Sequence, residues 1–320
     1  MNIMSGLSFI ISKNLSVSDK IKGFFKALDI FCKINSIRVF LRFSKTYSNS
    51  IEIFRNERVK KYPINVILKN GTKLLLHKKK DISLLTHNLM WKKCKFNDEL
   101  LEINWKGRNV FFTNSEFGDI VAVFAYERYS IVSVKNKIVI DIGAAIGDSA
   151  IYFAINSAKA VIAVEPFPKN IEIAEKNIKI NNVSDKISLI HGAITNKKGK
   201  MRIDENAVGP GNRTLSNKIN GTEIQTFSLK DIIPENEKDM ILKIDCEGCE
   251  YDSILETSDS ILQKFSHIQI EYHYGYKNLK KKLENAGFTV KITKPNYNMN
   301  YDASPSSMFI GFLYATNNDQ

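Results

Sequence analysis

From Lys137 onward, short continuous apolar runs alternate with stretches of helical periodicity. The runs are Ile138-Val139-Ile140, residues 160–164, 187–190, 240–244 and 267–270. Apolar runs this short, without polar alternation, fit strands of a parallel sheet covered on both faces. Helical spacing over 148–156 and 169–180 separates the first three strands, and another helix over 251–262 follows the fourth. A last helix over 279–286 leads to a closing pair of strands at 288–292 and 308–314. This order predicts a Rossmann-like α/β domain over 117–320, with a doubly wound, mostly parallel seven-stranded sheet and a closing antiparallel strand.

Ahead of it the pattern differs. Between Tyr62 and Thr113 the runs Val66-Ile67-Leu68, Leu74-Leu75-Leu76, 101–105 and Val110-Phe111-Phe112 are separated by Asn70-Gly71 and Lys106-Gly107. Asn-Gly between apolar runs is the strongest short hairpin signal, so 61–116 is expected to hold a small antiparallel β element feeding a helix around 118–129. Over about 16–43, Ile21, Phe24, Phe25, Leu28, Phe31 and Cys32 recur at helical spacing among Lys20, Lys22, Lys26 and Lys33, a basic amphipathic helix broken near Asn35. Residues 1–60 are accordingly a helical N-terminal segment. Its apolar stripe packs on its own protein in the plainer reading and lies in a membrane interface in the other.

Charge sharpens this division. The net charge is +12, yet residues 1–134 carry 23 Lys and Arg against 11 Asp and Glu, whereas 135–320 carry 23 against 23. The excess in the first part suits an anionic surface or a phosphate-bearing partner. The four cysteines, Cys32, Cys94, Cys246 and Cys249, form no secreted-type disulfide framework, which makes a reducing cytoplasmic compartment the default expectation. No run approaches the roughly 18 apolar residues that cross a bilayer, and 7–11 lack the flanks of a signal peptide. The expectation is a soluble or peripheral protein.

Chemistry concentrates at strand ends. The first strand ends in Asp141 and enters Gly143-Ala144-Ala145-Ile146-Gly147 before Asp148 opens a helix. Counting from Gly143 puts Ala145 and Asp148 where a dinucleotide fingerprint needs glycines, so that reading fails. An acidic residue two positions before the first glycine suits a cationic cofactor such as S-adenosylmethionine better than a pyrophosphate. The second strand ends in Glu165, 24 residues beyond Asp141, where a carboxylate can accept both ribose hydroxyls. After the fourth strand, Asp245, Glu247 and Glu250 crowd into six residues, an arrangement that requires protonation, pairing or a cation. The fifth strand runs into Glu271 and His273, which alternation places on one side.

The strings 139–148, Val164-Glu165-Pro166, 177–181 and 242–250 together resemble the FkbM-type methyltransferases. The resemblance extends over about 117–313, with its most specific part in Lys243-Ile244-Asp245, Glu247-Gly248 and Glu250. It implies a class I methyltransferase fold, S-adenosylmethionine as methyl donor and O-methylation of a sugar, polyketide or similar hydroxyl compound. Two departures are visible: Ala145 stands where the class often has glycine or asparagine, and Cys246 and Cys249 stand where the family has small aliphatic residues.

The expected cofactor residues are Asp141, Gly143, Ala144, Gly147, Asp148, Glu165, Pro166 and Ala193. The expected acceptor side is Asp245, Glu247, Glu250, Glu271 and His273, with Asp245 or His273 as base. Mg²⁺ held by Asp245 and Glu271 is the metal-assisted version. Cys246-x-x-Cys249 without two further paired ligands is read as incidental rather than a zinc site. The expected acceptor is a small molecule, sugar or glycolipid. The competing readings are an RNA methyltransferase using the basic first part, disfavoured by the lack of an Asn/Asp-Pro-Pro-aromatic string, and a non-catalytic membrane or carbohydrate binder.

Overall fold

The computed structural model describes residues 16–18, 34–76, 82, 85–86, 92, 94–96, 100–113, 120–203, 221–298 and 308–318. The chain divides into two compact units, one within Leu28–Arg128 and the other including Tyr129–Gln320. No described helix is long and apolar enough to cross a membrane.

The first unit begins with helices α1 (Ile34–Thr46) and α2 (Ser50–Arg58), the second of which the sequence pattern had not indicated. Strands β1 (Ile64–Ile67) and β2 (Lys73–Leu76) form the expected hairpin around Asn70-Gly71, with Val66 opposite Leu74. Phe43 and Tyr47, one helical turn apart, pack with Ile53, Ile64, Val66 and Leu68 in one core. Strands β3 (Cys94–Phe96), β4 (Leu100–Trp105) and β5 (Arg108–Thr113) pair antiparallel in that order. Lys106 and Gly107 both have positive φ, as a two-residue hairpin turn of this hand requires. In place of a helix around 118–129 the described residues show a single π turn at Val121–Ala125. Most of the basic helix expected over 16–43, including its apolar stripe from Ile21 to Cys32, lies outside the described residues.

The second unit contains β6 (Ile138–Ile142), α3 (Asp148–Ile155), β7 (Ala160–Glu165), α4 (Pro168–Ile180) and β8 (Ile187–His191). Then come β9 (Ala193–Ile194), β10 (Gly199–Ile203), β11 (Thr222–Phe227), α5 (Leu229–Ile232), β12 (Met240–Ile244), α6 (Cys249–Leu255) and α7 (Asp259–Leu262). The unit closes with β13 (Phe265–Tyr272), α8 (Lys277–Asn285), β14 (Phe288–Ile292), β15 (Asn296–Asn298) and β16 (Met308–Asn317). The main sheet runs β14-β16-β13-β12-β6-β7-β8, with β15 paired to β16. Pairs from β13 through β8 are parallel, and β16 lies antiparallel between β13 and β14.

This is the expected Rossmann-like α/β sheet. All five residues of β6 and of β12 are buried, which explains their unbroken apolar runs. Alternate side chains from β6, β12 and β13 face Leu229, Ile232, Ile254, Leu262, Leu279 and Leu283 of the covering helices. Winding reverses between β6 and β12, opening a crevice at their carboxyl ends. The helix expected over 251–262 is two helices, because the backbone turns extended at Ser258. The small sheet β10-β11-β9 was not foreseen, although 222–227 alternates exposed and buried positions.

Candidate active site

The turn after β6 is shaped by crowding between strand ends. Gly143 has φ 77°, and a Cβ there would lie 1.8 Å from the Asp245 carbonyl oxygen. Its glycine is therefore demanded first by β12, not by a ligand. Gly147 has φ 83° as it enters α3, with Ala174 of α4 close against it. Ala145 takes φ 45°, a left-handed backbone that glycine or asparagine adopts more easily. The amides of Gly143 and Ala144 donate to Val164 O, Ala145 N donates to Glu165 Oε2, and Gly147 N donates to Ala144 O. With those donors spent inside the protein, the turn is not an anion cradle of the pyrophosphate type.

Asp141 corrects one expectation. It is fully buried, its Oδ1 lies 2.8 Å from Lys243 Nζ, and Ser149 Oγ donates to its Oδ2 at 2.6 Å. It is neutralised within the protein rather than turned toward a cationic ligand. Lys243, to which the sequence reading assigns no role, is the cation that pairs with Asp141. Its Nζ also donates to Gly143 O at 2.8 Å and sits 5.7 Å from the Tyr129 ring centre. Burial, the largest influence, pulls the Lys243 pKa down, but Asp141 and Asp245 outweigh it and hold it above the ordinary lysine value. A lysine inside an otherwise apolar strand was the available signal, since a buried ammonium must be paired.

Glu165 ends β7 almost fully buried. Its Oε1 accepts from Phe167 N and Asn170 Nδ2, both at 3.0 Å, and its Oε2 from Ala145 N at 2.9 Å. Burial pushes its pKa up, against the lowering effect of these bonds. A carboxylate has about four acceptor sites, so Glu165 has room for one ribose hydroxyl, not the two expected. Asp148 sits in the first turn of α3, Pro166 O lies 3.0 Å from His191 Nε2, and Ala193 is buried beside Phe167. Asn177 Nδ2 donates to Ile146 O and braces the turn from α4.

Across the crevice, β12 ends in a loop where Glu247 has φ 59° and Gly248 φ 132°. His273, 1% exposed, is clamped by Glu250, whose Oε1 accepts from His273 N at 3.1 Å and lies 2.8 Å from Nδ1. Glu250 itself is fully buried, and its Oε2 accepts from Gly248 N at 2.8 Å. His273 Nε2 then faces Glu247 Oε2 at 3.4 Å and Asp245 Oδ1 at 3.8 Å. Burial lowers the His273 pKa, but Glu250, Glu247 and Asp245 more than reverse this and raise it to about 10. Four of the five expected acceptor-side residues thus meet; Glu271, half-buried on β13, is not part of the Asp245-Glu247-His273 group. The cysteines taken as incidental and reduced are instead joined, Cys246 to Cys249, across the start of α6.

Residues 141–290, the stretch containing both strand-end loops, match the family model described as the methyltransferase FkbM domain. That stretch, just under half of the chain, is similar to the FkbM methyltransferase domain. No curated protein matches the chain. Among solved structures, the methyltransferase FkbM from Methylobacillus flagellatus is similar at 15% identity and TM-score 0.42, over 62% of this chain and 48% of that one. The chain therefore spans about half the length of that protein. A precorrin-6y C5,15-methyltransferase from Geobacter metallireducens is similar at 14% identity and TM-score 0.37, over 61% of this chain and 87% of that one. The M. jannaschii TYW2, solved in complex with AdoMet, has 16% identity and TM-score 0.38 over 70% and 88%. Within the matched stretch both loops lie at the switch point of the sheet, one expected to carry the cofactor and one carrying the clustered titratable groups.

Proposed function

We propose that this FkbM-like domain transfers a methyl group from S-adenosylmethionine to a hydroxyl oxygen of a sugar, glycolipid or similar small metabolite. The observation that carries this reading is the meeting of the Gly143–Gly147 turn with Asp245, Glu247 and His273 at one switch point. The turn withholds amide donors from a pyrophosphate, and Glu165 keeps one acceptor site at the end of β7, which suits an uncharged ribose. Gly143, Ala144, Gly147, Asp148, Glu165, Pro166 and Ala193 would hold the donor, which supplies an electrophilic methyl on a sulfonium.

The chain's own residues then align the acceptor hydroxyl and take its proton. A histidine whose pKa is held near 10 is already protonated at neutral pH, so it stabilises neighbouring carboxylates instead of accepting a proton. The base in this reading is Asp245, with Glu250 positioning His273. The basic excess of residues 1–134 supports a phosphate-bearing or membrane-linked acceptor, and turnover on such an acceptor should fall with added salt.

Calorimetry tests the first step. S-adenosylmethionine and its demethylated product should each bind, and Glu165→Ala should weaken both by about 1.5–3 kcal/mol, the range for hydrogen bonds to a charged group. Binding of a nicotinamide cofactor with no heat from either would overturn the reading.

A further inference from the structure

We infer that Asp245, Glu247 and His273 form a divalent-metal site, with a metal of the Mn²⁺ or Zn²⁺ kind held by one imidazole and two carboxylates. One ligand atom from each of the three lies within 4.8 Å of the others. The edges from His273 Nε2 are 3.4 Å to Glu247 and 3.8 Å to Asp245. Ligands at about 2.0–2.2 Å around a tetrahedral ion stand roughly 3.4 Å apart, so a small inward movement closes the set. Three protein ligands leave a fourth position open, the arrangement of a catalytic rather than a structural site.

The second observation comes from the histidine. Its ring is buried, and Nε2 is aimed at two carboxylates, Glu247 and Asp245. Nδ1 is held at 2.8 Å by the buried Glu250, which also takes the His273 amide and the Gly248 amide. A carboxylate on the far nitrogen is the usual outer partner of a metal-bound histidine, because it fixes the tautomer and aims the other nitrogen. A loop with two left-handed residues, Glu247 and Gly248, and the Cys246–Cys249 link hold the carboxylates in place. The mixed imidazole and carboxylate set suits Mn²⁺, Fe²⁺ or Zn²⁺ better than Mg²⁺.

For catalysis the inference rests on the methyltransferase reading: an acceptor hydroxyl in the open position is acidified, and the Asp245 carboxylate takes its proton. The binding claim stands without that reading. The test uses the full chain, stripped with a chelator and kept free of thiol reductants, titrated with Mn²⁺ and followed by electron paramagnetic resonance and calorimetry. Mn²⁺ is the probe because thiolates hold it poorly. One Mn²⁺ should bind per chain. Glu250→Gln should weaken it about 10- to 100-fold, the range for an outer partner, and Glu247→Gln and His273→Gln should weaken it further. Absence of Mn²⁺ binding by the wild type, or wild-type affinity in both ligand variants, overturns the site. Should His273→Gln fail to fold by circular dichroism, the partly exposed Glu247→Gln decides. S-adenosylmethionine binding in the same samples separates the ideas: cofactor without metal sinks the metal site alone, and metal without cofactor sinks the functional reading alone.

Discussion

Asp245 and Lys243 sit two residues apart on one strand end and carry different burdens. Asp245 is partly exposed beside His273 and is the residue on which the proposed chemistry turns. Asp245→Asn keeps its shape but loses charge and basicity, so turnover should fall about 10²- to 10⁴-fold with cofactor affinity little changed; steady-state kinetics beside calorimetry checks this. Near-normal turnover would remove Asp245 from the mechanism. Lys243 is structural, since Asp141, fully buried, has its cation there. Lys243→Met should cost about 3–5 kcal/mol, the penalty for leaving one buried charge unpaired, measured by denaturant unfolding. Retained stability would mean that the Lys243–Asp141 pair does not hold the two strand ends together. That pairing was missed because Asp141 reads as ligand-directed when only its neighbours in the chain are considered.

The turn between β6 and α3 is the element in which backbone geometry decides side-chain identity. Gly143→Ala forces a Cβ into the Asp245 carbonyl and should destabilise by more than about 3 kcal/mol. Gly147→Ala meets Ala174, its Cβ at 3.3 Å and its backbone Cα at 3.4 Å, and a left-handed backbone, a cost of about 1–2 kcal/mol. Ala145→Gly relieves the same backbone penalty and should leave stability unchanged or raise it by up to about 1 kcal/mol. Equal effects across the three, by chemical denaturation, would show that ligand contact rather than strand-end crowding sets this sequence. The glycines themselves were legible in the chain; the reason for the first was not, because its clash is with a strand a hundred residues away.

At the scale of the whole molecule, the His273 cluster ties stability to pH. Glu250 from α6 and Asp245 and Glu247 from the loop after β12 face the ring, and together they lift its pKa to about 10 against 6.5 in the unfolded chain. A raised folded-state pKa stabilises fully below about 6.5, and that stabilisation is lost as pH rises toward 10. Unfolding free energy in chelator should therefore fall across that window, and His273→Gln should flatten the fall. An unchanged slope in the variant would mean that the histidine is not protonated in the folded protein. What the sequence determined by itself was the sheet: apolar runs buried on both faces, helices between them, and Asn-Gly and Lys-Gly turns in the first unit all follow from local periodicity and backbone preference. It also placed Asp245, Glu247, Glu250 and His273 at the right strand ends. Only the tertiary structure decided their partners. Glu250 bridges α6 to His273, Lys243 answers Asp141 across two strands, Glu271 stays outside the group, and Cys246 meets Cys249. Pairing in a parallel sheet joins residues far apart in the chain, and burial makes each pairing obligatory, so which charge meets which is fixed by strand order rather than by neighbours in sequence.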